Sequence, residues 1–294
     1  MTTIAFVGLG HMGTPMVKNL LKAGFSVTVF DLSKSAMEAL KEFGATQAVS
    51  LADAAKNADV IITMLQTGEQ VKQVCLGDEG LFAHAKKNVL YIDSSSIDIA
   101  TTHFLHAECE KRGIAMLDAP VSGGVGGASA ATLTMMVGGD EKNAARGKSI
   151  FEKLGKKIVY AGAAGSGQAA KICNNLMLAI SMIAVSEGFT LGQKLGLDPK
   201  KLFEIGSNSS SQCWSMTSYC PVPDVIESVP SNNQYKAGFT ANMMLKDLRL
   251  AKAAAESHHA VLPLGDGALE LYSHFVEQGN GEMDFSGIIK MMQE

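Results

Sequence analysis

Through its first half the chain alternates short β-branched or apolar runs with stretches in which apolar side chains return every three or four positions. Runs at 4–7, 26–30, 60–65, 89–93 and 114–118 read as strands, and the periodic stretches 12–23, 34–43 and 101–111 read as helices. Parallel neighbours need a crossover, and the right-handed crossover lays a helix back on the sheet, so this order predicts a parallel sheet wound by helices on both faces. A further apolar run at 132–137 ends at Gly138-Gly139-Asp140, a polar helical pattern follows, and a short strand at 158–160 closes this half near residue 163.

Gly162-Ala163-Ala164-Gly165-Ser166-Gly167 is a small-residue break suited to a linker. From 168 to 194 no proline occurs and apolar residues (Ile172, Leu176, Ile180, Ile183, Phe189, Leu191) occupy most faces, which predicts a helix buried nearly all round. At ~1.5 Å per residue it would span on the order of 40 Å, enough to join two domains. The rest of the chain carries helical patterns only, at 199–205, 241–258, 264–277 and 285–292. The irregular stretch 213–230, with Pro221, Pro223, Pro230 and the only Trp, Trp214, reads as an ordered loop containing a short helix. The second domain is therefore expected to be all-α.

Composition narrows the function classes. At roughly 150 residues per domain, 294 residues make about two domains, and 47% hydrophobic against 18% charged residues is ample for real cores. A net charge of −4 offers no positive field for nucleic acid or an anionic membrane, and neither is expected as a partner. No basic leader precedes the first strand pattern, and no run of 18 uninterrupted apolar residues occurs, so a cytoplasmic chain without a membrane span is expected. Five cysteines without C-x-x-C spacing read as reduced thiols, and the sixteen methionines as core filler.

Gly8-Leu9-Gly10-His11-Met12-Gly13 satisfies G-x-G-x-x-G between a predicted strand and a predicted helix, and Asp31 ends the next strand at about the spacing that holds a ribose. In such a turn the first glycine permits the bend, the second lets a pyrophosphate approach the backbone, and the third lets helix and strand pack. The expected fold is an α/β Rossmann-type N-terminal domain over 1–163 and an all-α C-terminal domain over 164–294, joined by a long interdomain helix. A carboxylate at 31 accepts from ribose hydroxyls and repels a 2′-phosphate, and neither Leu32 nor Ser33 supplies a cation, so NAD is expected over NADP.

Hydride transfer from an alcohol also requires a group to take the hydroxyl proton. Lys171 and Asn175 stand one turn apart in an otherwise apolar helix. A lysine reaching for water near a helix start is the ordinary alternative. Asp118-Ala119-Pro120-Val121-Ser122-Gly123-Gly124 follows a strand, where Ser122, Gly123 and Gly124 could present N–H groups and a hydroxyl to a carboxylate, or simply make a turn. Lys246-Asp247, inside an apolar helical pattern, is either part of a site or a local ion pair. No cluster has metal-ligand spacing; His258 and His259 are adjacent and expected to face different sides of a helix.

Together, Gly8-Leu9-Gly10-His11-Met12-Gly13, Asp118-Ala119-Pro120-Val121-Ser122-Gly123-Gly124, Gly165-Ser166-Gly167 with Lys171 and Asn174-Asn175, and Lys246-Asp247-Leu248 resemble the β-hydroxyacid dehydrogenase family over essentially the whole chain. Cys213-Trp214, Pro221-Val222-Pro223 and Asp284-Phe285-Ser286 match a branch that oxidises a short 3-hydroxyacid. The resemblance implies Lys171 as catalytic acid/base, Asn175 orienting the substrate hydroxyl, Ser122, Gly123 and Gly124 on its carboxylate, and Asp247 near it. It also implies NAD held by Gly8, Leu9, Gly10, His11, Met12, Gly13, Asp31, Met64, Leu65, Gln70, Ser96 and Lys246. Met- and Leu-bearing helices in the all-α half point to self-association as a homodimer or homotetramer, and the expected reaction requires no metal. Substrate size would be set around Trp214, Tyr219 and Phe239. Gln66 stands where the family usually has proline, which puts the order of that loop in question. Siblings that reduce a semialdehyde share these motifs, and a non-catalytic NAD sensor on the same fold is the alternative of a different class.

Overall fold

The computed structural model describes residues 2–293. In the first half, strands and helices run β1 (Thr3–Val7), α1 (Gly13–Lys22), β2 (Ser26–Phe30), α2 (Lys34–Lys41), β3 (Thr46–Gln47), α3 (Leu51–Ala55), β4 (Val60–Thr63), α4 (Gly68–Cys75), α5 (Leu81–His84), β5 (Leu90–Asp93) and α6 (Ile99–Arg112). They continue with β6 (Ala115–Asp118), β7 (Val121–Ser122), α7 (Gly124–Ala130), β8 (Leu133–Gly139), α8 (Glu141–Leu154) and β9 (Gly155–Gly162). The second half holds α9 (Ser166–Lys194), α10 (Pro199–Ser207), α11 (Trp214–Thr217), α12 (Ala241–Ser257), α13 (Pro263–Phe275) and α14 (Lys290–Gln293).

Among the described residues the strands form one nine-stranded sheet. The order β3-β2-β1-β4-β5-β6 is parallel throughout, with β1 at the centre paired to both β2 and β4. Alternate residues of each central strand enter opposite cores: Ile4, Phe6, Ile62, Leu90 and Leu117 face one, and Ala5, Val7, Ile61, Tyr91 and Met116 face the other. Near-continuous apolar runs are the sequence form of that double burial. The five strands read from the sequence are parallel as expected, and the sheet continues beyond them with β8, which runs antiparallel to both β6 and β7, and with β9, which pairs with β8. The turn at Ser122-Gly123-Gly124 returns the chain without a full crossover, Gly123 at φ +132 and Gly124 at φ +61 adopting conformations that glycine tolerates best.

Helix starts follow local chemistry. Ser33 Oγ accepts from Ala36 N, Asp98 from Thr101 N, Asp140 from Lys142 N, and Asp198 from Lys201 N with Pro199 in the first turn, each cap stabilising by about 1 kcal/mol. The chain divides into two compact units, Met1–Lys171 and Ile172–Glu294, so the division falls inside α9, beyond the small-residue break. The first turn of α9 goes with the first unit because Gly165 N and Gln168 N donate to Asp118 of β6.

In the second unit α9 packs Ala179, Met182 and Ile183 against α12 and α13, and Val185 and Phe189 into an adjoining cluster with Met216 and Tyr235. The expectation that α9 is buried nearly all round is corrected: Met177 and Leu191 are 63% and 59% exposed. With a mean hydropathy of 1.5 over an 18-residue window, α9 is long and apolar enough to cross a membrane by length and composition, which counting uninterrupted apolar residues did not show. The predicted helix at 285–292 is a 3₁₀ turn, Phe285–Ile289, followed by α14, and His258 and His259 lie past the end of α12.

Candidate active site

The three motif glycines occupy three different environments. A Cβ on Gly8, at φ +99, would lie 2.3 Å from the Met64 carbonyl oxygen, and one on Gly13 would lie 1.9 Å from the Gly8 carbonyl oxygen, so both are held by close backbone contacts. Gly10 is exposed and a Cβ there meets nothing within 4 Å. Space is open beside Gly10, before a ten-residue helix whose start has no side-chain cap, and uncapped N–H groups at a helix start are the kind of group that can receive a phosphate. Asp31 stands beside this loop: Oδ2 accepts from Leu9 N at 2.7 Å and Oδ1 from Ser33 N at 2.7 Å. The carboxylate is thereby fixed at the end of β2 with acceptor capacity remaining for ribose hydroxyls. His11 is exposed and Met12 half-buried on the same turn.

Beyond β4, Met64 N donates to Val7 O and Leu65 N to Ser95 Oγ at 2.9 Å. Gln66 does not leave its loop loose: its N–H donates to Gln70 Oε1 at 3.1 Å, a bond that proline could not make. Gln70 is itself held at the start of α4, its N–H on Thr67 Oγ1. Beneath lies a buried polar chain. Cys75 Sγ donates to Tyr91 OH, which shares a 2.8 Å hydrogen bond with Thr63 Oγ1; Thr63 Oγ1 and Ser95 N both donate to Asp93 Oδ1. Asp93 is fully buried and, among the described residues, its Oδ2 has no hydrogen-bond partner. Burial, opposed only in part by the Ser95 and Thr63 hydrogen bonds, pushes its carboxyl up to about 6. Ser96, half-buried, follows on the same loop.

Asp118, the first residue of the Ser122-Gly123-Gly124 segment's motif, is fully buried and accepts from Gly165 N and Gln168 N, with His106 Nε2 at 3.0 Å. Ser122 is half-buried and paired with Thr134, while Gly123 and Gly124 are exposed at the edge of the turn. Lys171, half-buried, follows Gln168 by about one helical turn and belongs to the same compact unit as the glycine motif. The first unit therefore brings together Gly8, Leu9, Gly10, His11, Met12, Gly13 and Asp31 on one loop system. It carries Met64, Leu65 and Ser96 just past the ends of the neighbouring strands, Gln70 in the first turn of α4, and Ser122, Gly123, Gly124 and Lys171 further along the chain.

The remaining residues gather in the second unit. Asn175 Nδ2 donates to Asp247 Oδ2, and Asn174 Nδ2 donates to Asn175 Oδ1 at 3.0 Å. Asp247 Oδ1 lies 3.1 Å from Lys246 Nζ but accepts no hydrogen bond of good geometry. Trp214, Tyr219 and Phe239 are united through Phe285: Trp214 stacks on Tyr219 at 4.8 Å, Tyr219 on Phe285 at 5.4 Å, and Phe239 meets Phe285 edge-on at 5.6 Å. Buried Asp284 accepts from Tyr219 OH, Gly238 N, Phe239 N and Ser286 Oγ. Gln168, Asp93, Thr63 and Asp284 were not legible as parts of these arrangements, because each acts through partners distant in the chain.

Comparison with known proteins shows the family. Residues 3–162 match the model described as the NAD binding domain of 6-phosphogluconate dehydrogenase, and residues 165–292 the one described as NAD-binding of NADP-dependent 3-hydroxyisobutyrate dehydrogenase. The chain belongs to the 3-hydroxyisobutyrate dehydrogenase family. Within this family it is 47% identical to a probable mitochondrial 3-hydroxyisobutyrate dehydrogenase of Dictyostelium discoideum, over 99% of this chain and 91% of that one. It is 46% identical to an NAD-dependent L-serine dehydrogenase of Pseudomonas aeruginosa, over 99% and 98%. A solved structure described as Mycobacterium tuberculosis 3-hydroxyisobutyrate dehydrogenase with L-serine superposes with a TM-score of 0.95 at 44% identity, covering all of both chains. The protein is thus an oxidoreductase of this family acting on a CH–OH group, with an NAD(P)-binding first domain.

Proposed function

We propose that the protein oxidises 3-hydroxyisobutyrate to methylmalonate semialdehyde, a step of valine breakdown, using NAD and Lys171 as general acid/base. NAD, when bound, supplies the hydride acceptor. Lys171 takes the proton released by the substrate hydroxyl, and Asn175, its amide held by Asp247 and Asn174, orients that hydroxyl. Ser122, Gly123 and Gly124 hold the substrate carboxylate with backbone N–H groups and a hydroxyl. Leu9, Gly10, His11 and Met12 receive the pyrophosphate, Asp31 the ribose, and Met64, Leu65, Gln70, Ser96 and Lys246 the rest of the nucleotide. The observation that supports this reading is the glycine loop, open at Gly10 and flanked by the fixed carboxylate of Asp31, in the unit where the first turn of α9, which leads to Lys171, is bonded to Asp118 at the end of β6.

L-serine is the second reading. It is supported by the 46% identity to an NAD-dependent L-serine dehydrogenase and by the likeness to a solved structure described with L-serine. The exposed apolar residues Met177 and Leu191 of α9 support self-association, as a homodimer or homotetramer.

NADH formation measured with 3-hydroxyisobutyrate, L-serine and other 3-hydroxyacids tests both readings. A higher kcat/KM for 3-hydroxyisobutyrate supports the first, and a higher value for L-serine the second. Lys171→Ala is expected to lower kcat on the order of 100–10,000-fold with NAD affinity retained. A flat trace with every substrate, or full turnover in Lys171→Ala, refutes the assignment.

A further inference from the structure

Gln168 is fully buried, and both ends of its amide are used by one strand-end loop: Nε2 donates to Ser95 O at 2.7 Å and Oε1 accepts from Ile97 N at 3.2 Å. Its own N–H donates to Asp118 Oδ2 at 3.0 Å, while Gly165 N donates to Oδ1 of the same carboxylate at 2.9 Å. The first turn of α9 is therefore held at four points to the ends of β5 and β6. No slack remains beneath it. A Cβ on Gly167 would lie 2.4 Å from Asp118 O and 2.5 Å from Met136 O, and one on Gly138 would lie 2.5 Å from Gly167 N. The loop that Gln168 grips is also the one whose Ser95 Oγ accepts from Leu65 N and which carries Ser96. It thus ties the helix start to the wall assigned to the nucleotide.

Burying a primary amide is costly unless every donor and acceptor is matched, and a leucine of similar volume would fill the space without that requirement. What the amide adds is direction: it fixes the rotation and height of a helix whose next turn carries Lys171. We propose that Gln168, braced by Asp118, is the positioning residue that sets Lys171 against the nucleotide-holding loop. This rests on the reading of Lys171 as the acid/base. Displacement of a reacting group by about 1 Å costs on the order of 100-fold in rate.

The test compares Gln168→Met, Gln168→Glu and Lys171→Ala with the wild type, using NADH formation over a range of pH and NAD binding by fluorescence titration. Gln168→Met is expected to bind NAD within about threefold of the wild type, to lose kcat by roughly 10–100-fold and to shift the pH limb of kcat. Gln168→Glu reproduces both amide hydrogen bonds only when its carboxyl is protonated, so its activity relative to the wild type is expected to rise as pH falls. This ratio decides the matter if Gln168→Met does not fold. Wild-type kcat and pH profile in Gln168→Met, or a flat activity ratio for Gln168→Glu, overturns the positioning role while an inactive Lys171→Ala leaves the acid/base reading standing. Full turnover in Lys171→Ala overturns both.

Discussion

Replacing Asp93 by Asn removes the one titratable group in the polar chain beneath the cofactor side of the first unit whose carboxyl is pushed to about 6. Asn keeps an oxygen for Thr63 Oγ1 and Ser95 N and puts an amide where Oδ2 has no partner. In the unfolded chain the aspartate titrates near its ordinary value of 3.8, and in the folded chain near 6, so between these values the folded state binds more protons. Stability therefore falls as pH rises through that window and levels off above it. The difference between the two values corresponds to about 3 kcal/mol. Full stabilisation by the neutral acid is present below about pH 4 and is lost above about pH 6. Urea unfolding followed by far-UV circular dichroism at pH 4, 5, 6 and 7.5 is expected to show the wild type losing about 3 kcal/mol more than Asp93→Asn across this range. Parallel pH curves for the two proteins would refute the burial argument.

Gly10→Ala is expected to leave thermal stability unchanged and weaken NAD binding, whereas Gly13→Ala, whose Cβ would lie 1.9 Å from a carbonyl oxygen, should cost about 1–3 kcal/mol or more; calorimetry and NAD titration separate them. Asp31→Ala removes an acceptor for ribose hydroxyls and the partner of Leu9 N, so the ratio of kcat/KM for NAD over NADP should fall on the order of tenfold. A double variant Met177→Asp, Leu191→Asp places charge on the exposed face of α9 and is expected to shift sedimentation toward the monomer without unfolding the chain. An unchanged assembly would show that the face is not used for self-association.

The sequence by itself determined strands β1, β2, β4, β5 and β6 with helices α1, α2 and α6, the position of the glycine turn and the helical second half, because these depend on local periodicity and on backbone freedom at named residues; the short β3, α3, α4 and α5 carry too few periodic positions to be read. It also singled out Lys171, Asn175, Ser122-Gly123-Gly124 and Lys246-Asp247, since polar groups in apolar patterns are visible without coordinates. Only tertiary structure decided that Asn175 meets Asp247 and that Trp214, Tyr219 and Phe239 join through Phe285. It alone reversed β8 and left one apolar face of α9 uncovered. The physical reason is range: capping, turns and amphipathic spacing act within a few residues, whereas the Asp118–Gln168 and Asn175–Asp247 bonds join groups 50 and 72 positions apart. No local pattern encodes which of those groups burial will bring together.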